Sequence, residues 1–298
     1  FCGSKSTIKY GRQSGKQQYL CKDCKRKFTA GKRLNTNDII DDYVVHKFTL
    51  EELSVKYGKS VSTMQRRLRQ MRHIHTISKH KDVVILIDTT YWGHNHGLMV
   101  IKDAIRGKIL WHKHVRHETV ALYMQGIEWL QKNGFKIYGV VCDGLKGLFN
   151  ALSDYNVQMC QVHQQRIIQR YLTQKPELPA SIELLELSKQ LTATDKDSFI
   201  GAFNDWENRW ESFLKERSID SNGKSRYTHK KLRSAYLSLR RNMKWLWTFY
   251  DNPSLGIPNT NNALEGTFTD MKTKLRVHSG MKRSNREKFL DEYISRHY

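Results

Sequence analysis

Val83-Val84-Ile85-Leu86-Ile87-Asp88-Thr89-Thr90-Tyr91 decides how this chain is read. An unbroken row of five apolar residues is the pattern of a central strand covered on both faces. Asp88 closes the row, where an ionised carboxylate costs desolvation energy unless a positive group sits on it. The situation recurs in Val140-Val141-Cys142-Asp143-Gly144, at the end of a second buried strand expected over 137–142. A single strand-end aspartate usually caps a helix. Two on neighbouring strand ends form a hard, oxygen-rich site suited to Mg²⁺ or Mn²⁺.

Outward from this run, 97–102 and 108–115 read as two further strands joined through Arg106-Gly107. Residues 118–132 have helical spacing, with Val120, Met124, Ile127 and Leu130 on one face. A short helix over 145–152 and a short strand over 157–160 follow. From Gln164 to about Phe249 the pattern is almost wholly helical, and a last helix is expected around Glu265. Strands alternating with helices predict an α/β core.

The chain has 298 residues, enough for one large domain and small accessory modules. A hydrophobic fraction of 39% argues for a folded globule. Lys and Arg number 51 against 29 Asp and Glu, a net charge of +22. Such an excess on a folded surface predicts a polyanionic partner, because each neutralised phosphate releases counterions. No apolar run is long enough to span a bilayer, and Phe1-Cys2-Gly3-Ser4-Lys5 is not a signal peptide. The cysteine pattern is not a secreted disulfide framework, so a reducing cytoplasm is expected.

Cys21-Lys22-Asp23-Cys24 is a knuckle that can place two thiolates on one Zn²⁺. Cys2 is a third ligand of a zinc ribbon over 1–32, and the remaining ligand is expected upstream of Phe1. Zinc would stabilise a module too small to bury a core of its own. Residues 33–78 are expected to form a helix-turn-helix. Thr49 and Glu52 make a capping box for its first helix, Gly58 permits the exit turn, and Ser60 or Ser62 caps the second. Thr63, Gln65, Arg66 and Arg69 on that second helix suit a DNA major groove.

Asp143-Gly144-Leu145-Lys146-Gly147-Leu148, together with Cys160-Gln161-Val162-His163-Gln164-Gln165-Arg166, resembles the Mutator-like bacterial insertion-sequence transposases. The cysteine module is similar to that of the zinc-binding variant of the group. The resemblance, running from the start to about Met281, implies an RNase H-like core over 79–164 and 256–298, interrupted by an all-helical insertion over 165–255. It also supplies the third acid, Glu265, in Asn259-Thr260-Asn261-Asn262-Ala263-Leu264-Glu265; spacing alone does not choose Glu265 over Glu128, Glu207 or Glu211.

What the resemblance further implies is a DDE transposase that cuts and joins double-stranded DNA. Two Mg²⁺ or Mn²⁺ ions, about 4 Å apart, would be held by Asp88, Asp143 and Glu265. Lys146, Arg166, Lys272, Lys274 and Arg276 would grip the transposon end, a terminal inverted repeat. A homodimer on DNA and a bacterial, nucleoid-associated location come from the same resemblance. An RNase H-like nuclease or resolvase, or a non-catalytic DNA-binding regulator, is the rival reading. Cys160 and His163 are either half a zinc site or an active-site pair held by hydrogen bonds, with His163 in reach of the scissile phosphate. His94, His96, His112, His114 and His117 could suggest another metal; alternation on hairpin strands explains the cluster about as well, and no site is assigned there.

Overall fold

The computed structural model describes residues 2–29, 34–71, 77–219 and 221–298. The chain divides into two compact units, Phe1–Arg72 and His73–Tyr298. The expected boundary at 32/33 and residues 72–76 of the expected helix-turn-helix segment lie outside the described residues.

In the first unit, strands β1 (Thr7–Gln13), β2 (Lys16–Cys21) and β3 (Lys27–Thr29) form an antiparallel sheet in that order. Helices α1 (Thr36–Val44), α2 (Leu50–Tyr57) and α3 (Val61–Leu68) follow. Both capping-box bonds are made at α2: Glu52 N donates to Thr49 Oγ1 at 3.2 Å, and Thr49 N donates to Glu52 Oε2 at 2.7 Å. Gly58 takes the left-handed conformation (φ 58°) that ends α2. Ser60, rather than Ser62, caps α3 through Thr63 N. Ile39, Val44, Leu53 and Met64 are fully buried among these helices.

The second unit is built on strands β4 (Asp82–Tyr91), β5 (Gly97–Asp103), β6 (Ile109–Val115), β7 (Lys136–Cys142) and β8 (Asn156–Met159). They form one mixed sheet in the order β6-β5-β4-β7-β8; β4 and β5, and β5 and β6, are antiparallel, while β4–β7 and β7–β8 are parallel. Helices α4 (Val120–Lys132) and α5 (Leu148–Ala151) connect the later strands. Side chains alternate across a strand, so Val83, Ile85 and Ile87 face α4, where they pack with Tyr123, Ile127 and Leu130. Each such buried aliphatic side chain contributes about 1.5–3 kcal/mol. Gly126 of α4 lets the helix approach closely: a Cβ there would sit 2.6 Å from Ile101 Cδ1 and 2.9 Å from Trp111 Cε3.

Strand β4 does not stop at Asp88, as the apolar row suggested. Antiparallel pairing with β5 carries it on to Tyr91, opposite Gly97. What ends near Asp88 is the parallel ladder to β7, whose last pair is Leu86 with Val141.

After β8 come α6 (Gln161–Leu172), α7 (Pro179–Gln190), α8 (Lys196–Lys215), α9 (Lys230–Leu246) and α10 (Thr248–Asp251). Trp206 and Trp247 are buried in their core, with Trp210 and Trp245 packed against it. This segment is not all-helical. A small antiparallel hairpin, β9 (Arg217–Ile219) with β10 (Ser225–Tyr227), stands between α8 and α9. Its turn includes Asn222-Gly223, the dipeptide that favours left-handed turn conformations, and Gly223 has φ 73°. Helices α11 (Asn262–Arg276) and α12 (Arg283–His297) complete the unit. No helix among the described residues is long and apolar enough to cross a membrane.

Candidate active site

Leu86 and Val141 are paired across adjacent parallel strands. Two residues on from each, with side-chain direction repeating every two residues, stand Asp88 and Asp143. The register therefore sets two carboxylates side by side at the end of the parallel ladder. Burial, reinforced by the negative charge of Asp143, pushes the Asp88 carboxyl up to about 7. Its Oδ1 accepts from Thr89 N at 2.7 Å, and Asp143 Oδ1 accepts from Leu145 N at 3.2 Å. Neither aspartate forms an ion pair with Lys or Arg among the described residues.

Glu265 lies in the first turn of α11, and three buried contacts set that turn against the sheet. Asn261, with no exposed surface, donates from Nδ2 to Ile87 O at 3.1 Å. Its backbone N donates to Cys160 Sγ at 3.2 Å. Lys102 of β5, also buried, donates from Nζ to Ala263 O at 3.0 Å and to Thr267 Oγ1 at 2.6 Å. Arg166 of α6 then clamps the Glu265 carboxylate with both terminal nitrogens. That bond holds the Glu265 carboxyl below its usual range, against the opposing effect of burial.

Asp88, Asp143 and Glu265 line one cleft of about 340 Å³, together with Thr89, Thr90, Glu118, His163, Arg166, Phe268, Thr269 and Lys272. The oxygens of the three acids do not close to within 4.8 Å of one another as a set, Glu265 being held by Arg166. His163 Nδ1 stands 3.9 Å from Glu265 Oε1, and burial pushes its imidazole down despite the pull of Asp143 and Glu265. Cys160 heads α6 as a buried thiol whose pKa is raised by burial. Cys160 and His163 do not form a metal-sized cluster with other ligands; the clusters among the described residues lie elsewhere.

Glu118 is a cleft residue that the sequence did not single out. It precedes α4, its backbone N donates to Tyr91 Oη at 2.8 Å, and Tyr123 Oη donates to its carboxylate at 3.2 Å. Burial, then Asp143, raises its carboxyl. The only local signal was its place between a strand and the Thr119 cap of a helix. Of the basic residues expected at the site, Arg166 and Lys272 line the cleft. Lys146 is exposed on the turn after Asp143, and Arg276 is exposed at the end of α11. Lys274 lies 6.0 Å from the Tyr293 ring of α12. None of these three is part of the cleft lining.

In the first unit the Cys2, Cys21 and Cys24 sulfurs lie within 4.8 Å of one another. Backbone amides of Cys24 and Asp23 lower the Cys21 thiol to about 7. Three converging sulfurs with amides turned toward them suit a tetrahedral zinc ion. Gln65 and Arg66 on α3 and Arg69, which caps its C-terminus, are exposed, whereas Thr63 is half-buried and hydrogen-bonded to Ser60 at 3.1 Å.

No protein-family model matches the chain, and no curated protein matches it either. Among solved structures it is similar to the Drosophila P element transposase strand transfer complex, with a TM-score of 0.47 and 13% identity over 90% of this chain and 93% of that one. It is also similar to a simian T-cell lymphotropic virus intasome in complex with PP2A regulatory subunit B56 gamma, with a TM-score of 0.22 and 11% identity over 65% of this chain and 74% of that one.

Proposed function

We propose that the chain is a DNA transposase of the DDE type, in which Asp88, Asp143 and Glu265 hold the divalent ions that cut and join DNA. The observation that carries this reading is the register of β4 against β7, which sets Asp88 and Asp143 side by side and unpaired at the mouth of a polar cleft. Two adjacent carboxylates, with burial and the charge of Asp143 acting on Asp88 and with no Lys or Arg ion pair among the described residues, fit hard cations such as Mg²⁺. When bound, such ions activate an attacking oxygen and stabilise the leaving oxygen at phosphorus. The sheet order, with its antiparallel hairpin followed by parallel strands, is the one an RNase H-like core would have.

The protein's own groups then have distinct tasks. Asp88 and Asp143 are positioned by the strand register, and Glu265 enters from α11. Arg166 and Lys272 place positive charge beside the acids, where the sugar-phosphate backbone would lie. His163 offers a buried ring nitrogen toward the same space. Cys2, Cys21 and Cys24 would hold a structural Zn²⁺, and Gln65, Arg66 and Arg69 of α3 would read a terminal inverted repeat. Two copies would pair two such ends.

The test uses the DNA flanking the gene, screened for inverted repeats and incubated as labelled fragments with the purified chain, Mg²⁺ and a target plasmid. Strand joining to the plasmid is expected, with Asp88→Asn retaining end binding while losing cleavage and joining. Cleavage without joining would favour a nuclease, and full activity of Asp88→Asn would remove the triad.

A further inference from the structure

On the sheet face opposite α4, β6 presents two histidines. His112 and His114 are two residues apart and point the same way, and their Nε2 atoms lie 3.0 Å and 2.8 Å from one oxygen of Asp291 on α12. One turn earlier on that helix, Glu287 faces His96, the residue before β5, with Nε2 to Oε1 at 3.8 Å. One ligand atom from each of His96, His114 and Glu287 lies within 4.8 Å of the other two.

This grouping is costly as it stands. His96 is 5% exposed, and neither of its ring nitrogens has a hydrogen-bond partner. Leaving such polar atoms buried and unpaired forfeits the hydrogen bonds they made to water. Nδ1 of His114 is likewise buried without a partner, while its Nε2 meets Asp291. A carboxylate that takes one N–H of an imidazole fixes the tautomer and leaves the other nitrogen with its lone pair free, which is the usual support of a metal-bound histidine. Arg283 donates from Nε to Glu287 Oε1 at 2.8 Å and, among the described residues, is the one Lys or Arg bonded to the cluster's carboxylate; being half exposed, it can turn to solvent.

We propose that His96, His114 and Glu287 bind a divalent transition-metal ion, most suitably Zn²⁺, as a clasp between α12 and the β5–β6 edge of the sheet. Two imidazoles and one carboxylate are borderline donors that favour Zn²⁺ over Mg²⁺. None of the three lines the acidic cleft, and the inference does not depend on the reading of that cleft. The clasp would join two segments far apart in sequence, so its effect should be on the docking of α12.

The test is zinc content after exhaustive dialysis, measured on the whole chain and on its Cys21→Ser, Cys24→Ser variant. The variant is expected to keep one zinc ion per chain. His96→Ala and Glu287→Gln, each added to that variant, should remove it, whereas Asp88→Asn should not. Added Zn²⁺ should raise the melting temperature of the Cys21→Ser, Cys24→Ser variant and not that of its Glu287→Gln derivative. Co²⁺ should give the visible bands of a thiolate-free tetrahedral site, absent in the same derivative. Circular dichroism separates loss of metal from loss of fold, and Glu287, partly exposed on its helix, provides the milder substitution. A Cys21→Ser, Cys24→Ser variant that holds no zinc, or one whose zinc survives both His96→Ala and Glu287→Gln, would overturn the clasp.

Discussion

Arg166 grips Glu265 through both terminal nitrogens, Nη1 to Oε1 at 2.6 Å and Nη2 to Oε2 at 2.9 Å. The guanidinium thereby occupies the carboxylate that is proposed to complete the metal site. A cation cannot use both Glu265 oxygens until Arg166 releases at least one of them. The pair is partly solvated, with the arginine side chain 50% exposed, so exchange between the two partners is inexpensive.

Replacing Arg166 with Ala should tighten binding of Mn²⁺ to the DNA-free chain by roughly 10-fold, equivalent to about 1.4 kcal/mol. The same variant should join DNA poorly, since the positive charge beside the acids is gone. Calorimetric Mn²⁺ titration and the joining assay together check this, and weaker Mn²⁺ binding would contradict the competition.

The Asp88 carboxyl is raised from 3.8 to about 7, and the sign of its effect on stability follows. Between those values the folded chain holds a proton that the unfolded chain has lost. Metal-free stability should therefore be undiminished by this group below about pH 3.8 and fall as pH rises toward 7, by on the order of 4 kcal/mol. Thermal melts in chelator should show the decline, and Asp88→Asn should flatten it. Mg²⁺ at pH 8 should stabilise the native chain far more than the Asn variant.

Glu118 acts on the acidic pair through its charge. Glu118→Gln should weaken metal binding, lowering the joining rate about 10-fold at limiting Mg²⁺ and much less at saturation. An unaltered Mg²⁺ dependence would show that Glu118 takes no part in holding the ions.

Cys24→Ser should abolish zinc binding by the first unit. Because a small module draws much of its stability from its metal, proteolysis should then cut freely before residue 72. The fragment beginning near residue 77 should stay resistant, and equal sensitivity throughout would refute a separate metal-stabilised module.

How much of this was readable beforehand depends on where each residue's neighbours come from. Asp88 and Asp143 stood out because an unbroken apolar run closed by an acid is a local pattern, and the register of β4 and β7 merely places the two together. Glu265 was not legible from spacing: its setting is built from Lys102 on β5, Cys160 at the head of α6 and Arg166 within it, elements about 100 residues or more away in sequence. Gln158, Gln161 and Gln164 look like surface residues in a polar stretch, yet all three are fully buried. Gln158 and Gln161 donate to Leu246 O at 2.9 Å and 3.0 Å, and Gln164 accepts from Asn242 at 2.8 Å, so they join α9 to the core by bonds that no periodicity reveals. The β9–β10 hairpin was missed although Asn222-Gly223 marked it, because strands of three residues are too short to show alternation.

Lys102 bears on how the site can work. Its ammonium anchors the backbone at Ala263 and the hydroxyl of Thr267, on either side of Glu265 along α11. Sliding the helix would strip a buried charge of its acceptors, a cost of several kcal/mol. Glu265 must then trade Arg166 for a metal by rotating about its own side-chain bonds, a motion of pico- to nanoseconds rather than a helix rearrangement of microseconds or longer. The slow step of loading the site would be set by delivery of ions and DNA, with the protein scaffold already in place.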